Sequence, residues 1–546
     1  MPYLDVYQTP LDANTAAHLL RRATFGPTKQ EIAAFSGLSA AQAVNQLIAN
    51  STYHTSPPPP VDLDETKPTA GQPFLTLPFN KERRSEWCYY IRYWWATLMA
   101  DQSKPPSVLE KLTTFWQNHF VVPQGVVFDY RMTDSYMQLL RRNALGNFKT
   151  MTFEMTNEAA MLLFQNGNEN AKTKPNENYA RELQELFVVG QKDFYGNPNY
   201  LEDDVKAAAK VLTGWQVKNY LAEGSTSFEV VFTPDRHDPD LKTFSSKYGS
   251  RIIQGRTDKS GAEQEIHELI DILTAHPESA KHICRKLYRW YVNANIDLEI
   301  ENNVIIPLAN LFSAPANGFR IEPLIRALLS SEIFYDQKNR GAIFKSPMEL
   351  VIGTLRFFEM KVPNMMGDLR AFRIYGKFAY DNMASLQQRL IDQPSVFGYV
   401  PYYQTGYSKN WINGTAIGLR NYVTDRYIIP HTDQEIRPGY VLWIDLVAWA
   451  TALQPNFSDV QGTPAITSEF IVEQMTQNLF VFELTQNQKN FLIDSIMMTG
   501  VTRNTWINEW NAYRAAPTDI NKKNAVQRRC RLLLRHMFSM AEYHVF

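Results

Sequence analysis

The chain has 546 residues, 44% of them hydrophobic and 13% aromatic, and its 55 Lys plus Arg balance 56 Asp plus Glu to a formal net charge of -1. That balance excludes a global electrostatic pull toward nucleic acid. Three widely separated cysteines, Cys88, Cys284 and Cys530, exclude a disulfide framework and a cysteine-rich zinc site.

The N-terminal "MPYLDVYQTPLDANTAAHLL" has no basic region followed by an apolar one, so it does not read as a signal peptide, and a cytoplasmic product is expected. No apolar run is long enough to span a bilayer. "TAAHLLRRATFG" carries apolar residues at helical spacing and stops at Gly26. Residues 51–74, "STYHTSPPPPVDLDETKPTAGQPF", have no periodicity and read as a linker or an extended strap. "SVLEKLTTFWQNHFVV", "DSYMQLLRRNALGNF", "NYARELQELFVVG" and "DDVKAAAKVLTGW" are amphipathic helices, the last two ending at Gly190 and Gly214. "SFEVVFTP" alternates like a strand and is expected to pair with "SRIIQG" across the "RHDPDLKTF" loop. Helical patterns resume in "AEQEIHELIDILTAH", "PESAKHICRKLYRWYV" and "IEPLIRALLSSEIF". The expected fold is therefore mainly α, a multi-helix globular protein with a small β-hairpin insertion near residues 226–256. A helical core over 1–360 would carry an aromatic loop region and C-terminal helices over 361–546.

Three polar clusters carry candidate chemistry. In "PNENYARELQELF", Asn178 is a candidate N-cap, and Glu182 and Glu185 share a helix face beside Arg181. Leu183, Leu186 and Phe187 must face the core, so the carboxylates edge the buried stripe, where an unpaired charge is costly. The cluster is either an Arg–carboxylate brace or a metal or acid–base site. In "TPDRHDPDLKTF", His237 and Asp238 stand beside Asp235 and Asp240, a donor set suited to zinc, manganese or iron, or else a polar turn. His119, between Trp116 and Phe120, is either a core histidine or a ligand. There is no H-E-x-x-H, G-x-S-x-G, P-loop or G-x-G-x-x-G to support a zincin, hydrolase-elbow, NTPase or dinucleotide reading. The aromatic "FGYVPYYQTGYSKNW" could be a sugar- or peptide-stacking surface, or packing under a loop.

The ordered segments "AAHLLRRATFGPT", "LTTFWQNHFVV", "NENYARELQELF", "EDDVKAAAKVLTGW", "RHDPDLKTF", "AHPESAKHICRKLYRWYV", "KSPMELVIGTLR" and "QPSVFGYVPYY" resemble the DUF1800 family of uncharacterised bacterial proteins. The resemblance spans almost the whole chain, and departs at Tyr399, where a tryptophan usually follows the glycine. It implies a bacterial origin and a frequent genetic neighbour, a sulfatase-like protein that often carries a twin-arginine export signal. It implies no activity.

Two functional expectations follow. The first is a metal-supported hydrolase with Glu182, Glu185, His119 and Arg181 as catalytic groups. Its divalent metal ion would sit on His237, Asp238, Glu182 and Glu185. The second is a non-catalytic structural or surface-assembly protein acting with the exported sulfatase-like partner, reaching the periplasm or cell exterior as that partner's passenger. Nucleic acid is not an expected partner. Arg181 is expected to pair with Glu202, Asp203 or Asp204, and the helix after Asn178 to pack on the one carrying His119.

Overall fold

Side-chain caps fix where many helices start. Asp12 accepts the Thr15 N–H ahead of Ala13–Ala23, and reciprocal capping boxes at Thr28/Glu31, Ser39/Gln42, Ser346/Glu349 and Thr485/Gln488 begin four more helices. The computed structural model describes residues 3–402, 410–429, 435–437, 440–453 and 467–546. These residues form a mainly helical protein with short two-stranded antiparallel sheets. Helix Arg84–Ala100 buries Trp87, Trp94 and Trp95 and packs against Leu369–Ser385, which joins the later part of the chain to the earlier part. Helix Leu109–His119 is buried along its whole length and packs on Tyr130–Asn143. One hydrophobic cluster runs from Leu11 to Tyr543. No helix among the described residues is long and apolar enough to cross a membrane.

Strands do fall within the expected stretch 226–256, but they pair differently, and others lie outside it, at Trp215–Lys218 and at Glu435–Arg437 with Tyr440–Val441. Strand β1 (Trp215–Lys218) runs antiparallel to β2 (Glu229–Phe232), with Trp215 opposite Phe232 and Lys218 opposite Glu229. Strand β3 (Lys242–Thr243) pairs with β4 (Ile252–Ile253). The predicted pairing of "SFEVVFTP" with "SRIIQG" is thus replaced by two pairs. Trp215 reads as the tail of the helical "DDVKAAAKVLTGW", which conceals β1. Yet Trp215 and Val217 face the core while Gln216 and Lys218 face outward, the period of two that a half-buried strand requires.

The proline-rich segment is a strap. The Pro58 carbonyl accepts from Trp94 Nε1 at 2.8 Å. The fully buried Asp62 carboxylate holds Arg83 at 2.6 Å. In the aromatic stretch, Tyr399, Tyr402 and Trp411 are buried, and Tyr402 lies 4.3 Å from Trp290, ring centre to ring centre. These rings therefore pack inward, while residues 403–409 of the suggested stacking stretch lie outside the described residues. The Tyr399 hydroxyl accepts the Arg389 N–H at 2.7 Å.

Candidate functional site

The "PNENYARELQELF" segment is a short α-helix, Asn178–Glu182, continued by a π-helical turn, Leu183–Val188. The N-cap position is Glu177 rather than Asn178 and carries no side-chain cap; Asn176 Oδ1 accepts the Asn178 N–H at 2.9 Å, while Asn170 Oδ1 holds the Asn176 N–H at 2.8 Å. Leu183 and Phe187 are fully buried, as the apolar stripe requires, whereas Leu186, also expected to face the core, is only partly buried. Arg181 lies on the outer side. Its two terminal nitrogens donate to the Glu202 carboxylate at 2.7 and 2.8 Å, and Nη2 also reaches Glu177 at 3.0 Å. The Glu202 hydrogen bonds are the largest cause raising the arginine's pKa, and the same bonds lower that of Glu202. Glu185 accepts from the Tyr200 hydroxyl at 2.8 Å. Burial, then the neighbouring Glu185, pushes the half-buried Glu182 carboxyl up to about 7.

His119 does meet this helix, but at its carbonyl end and through the backbone. Its Nε2 lies 2.9 Å from Phe187 O. A helix leaves its last carbonyls without intrahelical donors, and here three side chains from outside supply them. His282 Nε2 reaches Leu186 O at 2.8 Å and Lys286 Nζ reaches the same oxygen at 2.9 Å. Lys286 Nζ also stands 3.1 Å from His119 Nδ1. The network assigns a neutral His119 that donates from Nε2 and accepts at Nδ1. Burial, followed by Lys286, drives the His119 pKa well below its usual value, and burial lowers Lys286 to about 7. His282 and Lys286 stand four residues apart on helix Pro277–Tyr291, hence on one face. That spacing was the sequence signal for two participants that the sequence reading missed.

His237 and Asp238 belong to a different, closed network. His237 Nδ1 lies 2.9 Å from Thr213 O, and its Nε2 lies 3.3 Å from Glu265 Oε1. Lys242 Nζ binds the other Glu265 oxygen at 2.6 Å, with Glu265 and Lys242 both fully buried. The Arg256 N–H adds a third contact to Glu265 at 2.6 Å. Asp238 Oδ1 accepts the Asp240 N–H at 2.9 Å, and the Asp238 N–H donates to Thr213 Oγ1 at 2.8 Å. Glu265 and Lys242 were also missed. The available signal was a carboxylate within the apolar stripe of helix Lys259–Thr274, between Ala262 and Leu269.

Three of the four proposed metal ligands therefore have separate partners: Thr213 and Glu265 for His237, the turn backbone for Asp238, and Tyr200 for Glu185. Among the described residues, no group of three or more His, Cys, Asp or Glu could hold a metal ion.

A family profile described as protein of unknown function, DUF1800, matches residues 18–545, and the chain belongs to that family. No curated protein and no solved structure matches it.

Proposed function

We propose that this DUF1800 chain is a non-catalytic assembly or binding protein that acts with an exported, sulfatase-like partner. Its two polar motifs would then serve as internal braces. The observation that carries this reading is the closed His237–Glu265–Lys242 network, in which both imidazole nitrogens and both carboxylate oxygens face protein partners. The partner comes from the family resemblance, and with it a route out of the cytoplasm as the passenger of a twin-arginine signal. Fractionation of native cells with and without the partner gene tests both. The passenger proposal expects the protein outside the cytosol only when the partner is present. Finding it in the cytosol of both strains contradicts that.

One observation favours a hydrolytic second reading. Glu182, with its carboxyl near 7, could hold a proton at neutral pH and release it, the property of a general acid. Among the described residues no three ligands converge there, so this reading has no metal step. Hydrolysis of an ester, phosphoester or glycoside panel by the wild type, lost in Glu182→Gln with melting preserved, would support it. Equal background rates in both proteins would remove it.

A further inference from the structure

A second cluster of charge lies far along the chain from the motifs. Arg21, Gly26, Lys345, Glu349, Gly353 and Tyr543 are among the residues enclosing a cavity of about 40 Å³. The surrounding cations are mostly committed. Arg22 donates to the carbonyls of Tyr291, Val292, Asn339 and Phe546. Lys111 pairs with Glu349, whose other oxygen accepts the Ser346 N–H at 2.7 Å. Arg420 donates to Trp411 O and Lys345 O at 3.0 and 2.6 Å. Two cations remain. Lys345 Nζ stands 4.0 Å over the Tyr543 ring, and among the described residues no acceptor reaches it. Arg21 gives one bond from Nη2 to Asn478 O at 2.6 Å, and among the described residues the rest of its fork meets no acceptor.

The backbone forms part of the cavity wall. A Cβ on Gly26, which sits at φ +111°, would stand 3.2 Å from Gly353 Cα, and one on Gly353 would stand 3.0 Å from Phe25 O. Gly26 and Gly353 approach closely because neither carries a side chain, and the rest of the wall mixes the cations and Tyr543 with apolar groups, among them Phe25, Phe357, Leu479 and Phe546.

Arg21 and Lys345 are each only partly shielded from solvent, and a planar guanidinium beside an ammonium matches an oxyanion in charge and geometry. We propose that this cavity binds a small oxyanion, a carboxylate or phosphate group, between the free edge of Arg21 and the Lys345 ammonium. The volume accommodates a head group rather than a whole metabolite, since a single water needs about 10–15 Å³ measured the same way. Glu349 lines the cavity but is already held by Lys111, so its charge is offset. Burial, then Arg21 and Arg420, holds the Lys345 pKa well below its usual value, against a smaller opposing effect of Glu349, and an anion in the cavity would raise it.

Calorimetric titration of the full chain with inorganic phosphate, and separately with acetate, tests the site. The expected result is saturable binding of at least one anion to the wild type, weakened about tenfold or more in Lys345→Gln and in Arg21→Gln, a loss of at least one charged contact. Lys29→Gln removes a cation that packs on Trp449 instead, and should bind as the wild type does. The tighter of the two anions identifies the head group. No saturable heat with either anion, or one affinity shared by all four proteins, overturns the proposal. Should a lining variant fail to fold, wild-type melting decides: a saturable rise with either anion supports the site, and no shift with both overturns it.

Discussion

At the scale of single residues, partner and environment separate. The sequence placed Arg181 beside the carboxylates of 202–204, and the partner is Glu202 in a two-pronged pair. The pair is not buried: the Glu202 side chain is 63% exposed and that of Arg181 33%. Arg181→Ala should therefore cost about 0.3–1 kcal/mol, the range of a surface pair, and less in high salt. Urea unfolding at two salt concentrations checks it. Asp204, the alternative partner, is fully buried and instead caps Leu201 N–H at 2.9 Å and binds Ser245. Glu265 is the opposite case. Glu265→Gln leaves the fully buried Lys242 cation without its carboxylate and should cost about 3–5 kcal/mol. If Glu265→Leu with Lys242→Met costs much less than the two single changes summed, the loss belongs to the pair. A simple sum would place the effect elsewhere.

At the scale of elements, the helical periodicities were legible because apolar spacing reflects burial directly. The α-to-π change within "RELQELF" was not, since a π turn answers to what lies beyond its end: the His119, His282 and Lys286 donors, brought from more than 60 residues away in either direction. Gly190, read only as a helix stop, has a second reason to be glycine. It sits at φ +89°, and a Cβ there would stand 2.8 Å from His282 Nδ1. Gly190→Ala should destabilise by about 1–3 kcal/mol, through left-handed strain and displacement of the imidazole. His282→Ala beside it should recover part of that loss in thermal melts by removing the clash. The β pairing was misread for a related reason. Four-residue strands carry too few alternations to specify a partner, and the tertiary neighbours decide it.

At the scale of the whole molecule, the buried histidines set an acid limit. Burial lowers His18, His119 and His282 well below the usual value, lowers His276, and takes His544 to about 3. Below about pH 6.5 the unfolded chain protonates these rings while the folded chain does not, so folding stability is greatest above that pH and falls with acid. Glu158 and Glu182, raised to about 7, and the raised Asp134 act oppositely. They bind protons preferentially when folded, so they add stability as pH falls below 7. Five histidines against three carboxyls leave a net loss from pH 6.5 down to 5. Urea unfolding over that range should show it, and His282→Gln should flatten the slope by up to about 1.4 kcal/mol per pH unit. The central claim is that the two polar motifs are braces and hold no ion. Differential scanning calorimetry of the chelator-treated full chain, with zinc, manganese, magnesium and calcium added in turn, tests it most directly. Braces predict one unchanged transition under every ion. A saturable rise, about 2.7 kcal/mol at a hundredfold excess over Kd, that is absent from His237→Ala would contradict them.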